Sequence, residues 1–147
     1  MNLAHLTFIF LGLFEIKNNV TGEFLSLDGK SVTPSNSNFE WKWIPKDGSD
    51  VWGFIKHYPL YPSPGYWPAG FLTTDKCTDG ICTLKIQKKI KGQMKIEQHW
   101  RKWNNKIISK VGTRKYIVYV LTLNSQGNIV AMTPNDEENQ DWSLIQK

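Results

Sequence analysis

The sequence predicts an all-β domain, a barrel or sandwich, on three observations. Helical periodicity is nearly absent. Short alternating or β-branched stretches are many, punctuated every ~8–12 residues by turn pairs such as Asp28-Gly29, Asp47-Gly48 and Gln126-Gly127. One phrase ending in Trp recurs three times along the chain. The length of 147 residues, with 40% hydrophobic side chains, fits one domain with a real core and is too apolar for disorder.

The strands follow in order. Phe14-Glu15-Ile16-Lys17 alternates apolar and charged residues, and Phe24-Leu25-Ser26-Leu27 stops at a turn pair. Phe39-Glu40-Trp41-Lys42-Trp43-Ile44 alternates up to Pro45, and Trp52-Gly53-Phe54-Ile55-Lys56 follows. Cys82-Thr83-Leu84-Lys85-Ile86-Gln87 and Met94-Lys95-Ile96-Glu97 alternate as well. The stretch 116–123 is β-branched and aromatic, 128–132 follows Gln126-Gly127, and Trp142-Ser143-Leu144-Ile145 closes the series.

The recurring phrases are Asn38-Phe39-Glu40-Trp41, Glu97-Gln98-His99-Trp100 and Asn139-Gln140-Asp141-Trp142. The segments also open alike, with Leu13-Phe14-Glu15-Ile16-Lys17 echoed by Trp52-Gly53-Phe54-Ile55-Lys56 and more weakly by Asn105-Lys106-Ile107-Ile108-Ser109. An aromatic-aliphatic pair follows each opening: Phe24-Leu25, Phe71-Leu72 and Tyr116-Ile117. The middle segment is longer because 58–68 is a Pro-rich insertion, which cannot be a central strand since Pro lacks the ladder donor. It carries Tyr58, Tyr61, Tyr66 and Trp67, aromatics suited either to contacting a sugar, protein or membrane surface or to folding back over one barrel end.

The threefold phrase resembles, in degenerate form, the Gln-x-Trp signature of ricin-B-type β-trefoil lectin domains, and the opening phrases resemble those of mytilectin-type trefoils. The resemblance covers roughly 13–147. It implies a β-trefoil of twelve strands in three pseudo-repeats, a six-stranded barrel capped by three hairpins, with repeats at about 13–50, 51–103 and 104–147. Trp41, Trp100 and Trp142 would then be core residues. Residues 1–12 fall outside the barrel and hold most of the apolar run Leu6 to Phe14, which reads as a leader-like segment.

The resemblance also implies where a sugar would sit. The family's acid follows the aliphatic residue of the second strand, and the matching positions here are Ser26, Thr73 and Val118, none acidic; Asp28 and Asp75 lie two residues beyond the first two. The family's amide matches Pro34, Gln93 and Asn135, and its stacking aromatic falls near Val130 in the third repeat. No galactose site of that family is complete. The candidate sugar-binding residues that remain are Asp28, Asn38, Asn135, Asn139 and Gln140. Asn139 and Gln140 could instead hold the hairpin beside the motif Trp through backbone bonds.

The net charge of +5 is uneven: 85–115 holds eleven of the eighteen basic residues against one acid, Glu97, giving +10, while the remainder carries −5. Lys85, Lys88, Lys89, Lys91, Arg101 and Lys102 form a candidate basic patch for a sulfated glycan, the alternative being a solvated face. Only two of the eleven are Arg, the better phosphate fork, which argues against nucleic acid. Cys77 and Cys82 flank a turn and are either a disulfide or two free thiols. With the sequon at Asn19, they point mildly to secretion.

Nucleophile-elbow, P-loop, dinucleotide and His-Glu-x-x-His motifs are all missing, so no catalysis is expected, and nothing calls for a cofactor or metal. There is no run of ~18 apolar residues to span a membrane. The sequence therefore predicts a non-catalytic glycan-binding module with a glycan or glycoprotein partner. The alternatives are a trefoil protein ligand or protease inhibitor acting through 58–68, or sulfated-glycan binding through 85–115.

Overall fold

The computed structural model describes residues 12–49, 51–57, 70–88, 96–136 and 138–146. Twelve strands run β1 (Leu13–Asn18), β2 (Phe24–Asp28), β3 (Ser31–Ser35), β4 (Trp41–Pro45), β5 (Gly53–His57), β6 (Phe71–Thr78), β7 (Ile81–Gln87), β8 (Trp100–Trp103), β9 (Lys106–Ser109), β10 (Tyr119–Leu123), β11 (Ile129–Met132) and β12 (Trp142–Gln146). The helical residues described are two short 3-10 turns, Ile96–Gln98 and Thr113–Lys115. Each of the three sequence segments contributes four strands.

Every strand pairing is antiparallel, and the sheet closes into a barrel. Strands β5, β6, β7, β11, β10, β9 and β8 form a ring, because β8 also pairs with β5 through Gly53 and Trp100. β4 pairs with β5 and with β1, and β1 pairs with β12. The Trp142 N–H donates to Asn105 O at 2.8 Å, which ties the start of β12 to the turn before β9. The pairs β2–β3, β6–β7 and β10–β11 are hairpins.

The recurring tryptophans lie in the core with no exposed surface. The Nε1–H of Trp41, Trp100 and Trp142 donates to Leu25 O, Leu72 O and Leu121 O respectively, each at 2.9 Å. Each bond fastens the first strand of a hairpin to the strand after it. Burying each indole contributes roughly 4–6 kcal/mol at about 25 cal/mol per Å2. Gly53 must be glycine: a Cβ there would stand 2.3 Å from the Trp43 ring and 2.8 Å from Ile44 O.

The third of these bonds corrects the expected register. Tyr116-Ile117 was expected to match Phe24-Leu25 and Phe71-Leu72, but the matching residues are Val120-Leu121, followed by Thr122 rather than Val118. The chain first spends residues in a turn in which Lys115 N–H and Ile117 N–H both bond Gly112 O. Gly112 has φ 91°, and Tyr116, at φ 60°, is 96% exposed. Of the strand expected over Met94-Lys95-Ile96-Glu97, Met94 and Lys95 lie outside the described residues, and Ile96–Gln98 is instead a 3-10 turn closed by His99 N–H on Ile96 O. β3 was not among the expected strands; it carries Pro34, which is tolerated because β3 is an edge strand.

Cys77 and Cys82 are bonded, as cross-strand partners on the β6–β7 hairpin around Asp79-Gly80, both of which have positive φ. Among the described residues no helix is long and apolar enough to cross a membrane.

Two stability outcomes follow. Trp142→Phe removes the donor to Leu121 O and leaves a gap in the core, so urea denaturation should show a loss of about 2–4 kcal/mol. The Cys77→Ala, Cys82→Ala pair opens a bridge over a sequence separation of 5. Chain entropy alone makes that worth about 2 kcal/mol, measurable by the same titration with and without reductant.

Candidate functional site

The polar residues expected to bind sugar occupy separate places. Asp28 is exposed at the end of β2, and Asn38 is exposed between β3 and β4. Asn135, Asn139 and Gln140 all lie between β11 and β12. Gln140 is buried: its Nε2–H donates to Thr122 Oγ1 (3.2 Å) and Thr133 O (3.0 Å), and its Oε1 accepts from Asn135 N–H (2.8 Å). Asn139 O accepts from Leu123 N–H at 3.0 Å and from Asn18 Nδ2–H at 3.2 Å. The Gln140 side-chain amide and the Asn139 main-chain carbonyl therefore brace the barrel.

Gln98 does the same in the middle segment, donating to Thr73 Oγ1 (3.1 Å) and Lys88 O (2.9 Å). Ser26, Thr73 and Thr122 each follow the anchoring leucine of their hairpin, and all three are buried. Thr73 and Thr122 hydroxyls donate at 2.8 Å to Phe71 O and Val120 O. In the first segment the counterpart of the glutamines is Phe39, whose ring lies 5.3 Å from that of Trp41 and stacks 5.2 Å from His57. Burial pushes the His57 imidazole below its ordinary pKa.

The fold splits the basic stretch. Lys85 pairs with Asp75 at 3.2 Å, and Lys106 with Asp141 at 2.8 Å. Arg101 lies 4.5 Å over the Trp103 ring. Lys102 is half-buried on β8, and burial lowers its pKa. Lys88 is exposed at the end of β7, while Lys89 and Lys91 lie outside the described residues. Tyr58, Tyr61, Tyr66 and Trp67 also lie outside them, as does the leader-like segment up to residue 11.

Trp103 is the residue that sequence reasoning passed over. It ends β8 and is 52% exposed, whereas Trp100 on the same strand is buried. The parity of the strand was the available signal: residues three apart point to opposite faces, so a buried Trp100 sends Trp103 outward, with Arg101 beside it. Trp103 is the cross-strand partner of Lys106, whose ammonium holds Asp141. Asn104 and Asn105, both exposed, form the turn between them. Asn19 joins the same rim: its N–H donates to Asp141 O at 2.9 Å, and its side-chain oxygen accepts from the Ser143 hydroxyl. An indole face, a carboxylate, amides and cations thus share one exposed surface. Such a set can pack the apolar side of a pyranose and hydrogen-bond its hydroxyls.

A cavity of about 280 Å3 opens among the hairpins, between Val32–Pro34, Thr83–Leu84 and the strand around Ile129, and no charged side chain lines it. Among the described residues, no group of three His, Cys, Asp or Glu side chains is placed to hold a metal ion.

No family model and no curated protein matches this sequence. The fold is similar to that of a solved structure, the GlcNAcα1-4Gal releasing endo-β-galactosidase from Clostridium perfringens, with a TM-score of 0.60 and 14% identity. The likeness covers 93% of this chain and 33% of that one, so the chain spans about a third of the enzyme's length.

The half-buried His57 yields a pH prediction. Its folded pKa lies below its unfolded value of 6.5, so its neutral ring contributes stability above pH 6.5 that is lost as pH falls through the lowered value. Melting temperatures taken from pH 7 to pH 5 should fall less for His57→Phe than for the wild type, and identical slopes would refute this.

Proposed function

We propose that the chain is a non-catalytic glycan-binding module with β-trefoil architecture, and that it holds neutral sugar on the surface around Trp103. Three matching Trp-to-Leu hydrogen bonds, four strands per segment and the threefold phrase support the architecture. The single observation carrying the function is the exposed Trp103. Its ring has Arg101 on one side and the Lys106–Asp141 pair as cross-strand neighbour. A large indole left in water on a short hairpin is costly, and burial against a ligand recovers that cost. The fold likeness to one third of a glycan-cleaving enzyme supports the same class of ligand. The disulfide and the exposed sequon at Asn19 support a secreted protein.

A screen of the protein on a neutral-glycan array should return ligands, and Trp103→Ala should weaken the best of them at least tenfold, about 1.4 kcal/mol, with an unchanged melting temperature. A blank array, or full affinity in the variant, would overturn the proposal.

A further inference from the structure

A half-buried indole, Trp52, lies beside lysines drawn from two distant stretches of chain. Lys46 follows β4, and its N–H donates to Trp52 O at 3.0 Å, closing a turn in which Ser49 Oγ accepts from Trp52 N–H at 3.0 Å. Lys110 follows β9, its N–H fixed on His99 O at 3.0 Å. Its carbonyl accepts from Thr113 Oγ1 at 2.8 Å, which starts the 3-10 turn bearing the exposed Arg114. The Lys110 ammonium stands 5.4 Å from the Trp52 ring centroid. The main chain of Lys46 is tied to Trp52, so both lysines meet at this residue, and Arg114 follows Lys110 on the same turn. Burial, then Lys46, then Arg114 lower the pKa of Lys110. Among the described residues the ion pairs of the basic stretch are Asp75 with Lys85 and Asp141 with Lys106.

Ammonium groups set side by side repel one another, and an oxyanion between them turns that repulsion into attraction for both. We propose that Lys46, Lys110 and Arg114, with the Trp52 ring, form an oxyanion site for a sulfate ester of a glycan. The indole takes the sugar ring, and the cations take the ester oxygens. This deepens the glycan-binding reading and rests on it, but it uses a surface other than that of Trp103. It also differs from a diffuse basic stripe, because Lys46 lies outside the basic stretch while Lys85 and Lys106, inside it, are neutralised by partners.

The test is calorimetric titration of the full chain with a heparin hexasaccharide and with its desulfated, re-acetylated counterpart, at several salt concentrations. The sulfated probe should bind at least tenfold more tightly. Lys46→Ala with Lys110→Ala should remove at least tenfold of that affinity and flatten the salt dependence by about two counterions. Lys85→Ala should stay within about twofold of wild type, since its charge is already matched. Lys46→Ala alone, on a surface turn, gives the same direction should the double variant melt early. Equal affinity for the two probes, or undiminished affinity in the lysine variants, would overturn the site. Tighter binding of a single-stranded RNA of equal charge would overturn it in favour of nucleic acid. Neutral-glycan binding that survives the lysine variants but fails in Trp103→Ala keeps the two readings separate.

Discussion

In each third of the molecule an indole N–H ends on the carbonyl oxygen of a buried leucine, and the rest of the barrel is arranged so that those three bonds can form. A buried donor without an acceptor would cost more than the bond itself contributes. Each bond therefore fixes the distance between a hairpin and the strand that follows it. The second layer then varies. Gln98 and Gln140 clamp their hairpins with side-chain amides, whereas the first segment substitutes the stacked rings of Phe39 and His57.

Much of this was legible in the sequence because the tryptophans recur with similar neighbours. The third segment was misread at Tyr116-Ile117, whose composition suits a strand. Gly112 and the short turn behind it carry those residues out to solvent before β10 begins. Composition cannot report a positive φ. β3 was not among the expected strands, and its Pro34 is tolerated because an edge strand has no donor to lose on its open side.

The site residues were less legible for a different reason. Polar residues beside the motif Trp look like ligand contacts in one dimension, yet Gln140 spends its amide on Thr122 and Thr133. A charge count along the chain groups Lys85 with Lys106 and Lys110. In space the first two meet aspartates, while Lys110 reaches the Trp52 ring, whose main chain is bonded to Lys46 from 64 positions earlier in the chain. Trp100 and Trp103 show the same limit and its remedy. Identical residues three apart serve the core and the surface, and only the alternation of the strand tells them apart.

The Leu25, Leu72 and Leu121 anchors are main-chain oxygens. A carbonyl is the same at every position, so the tryptophan does not inspect which side chain its anchor bears. Substitutions can accumulate at the anchoring strands as long as they remain apolar and the indole stays. Such a barrel constrains its shape more tightly than its sequence. A chain of this kind can share only 14% of its residues with a solved structure and still superpose on it at a TM-score of 0.60.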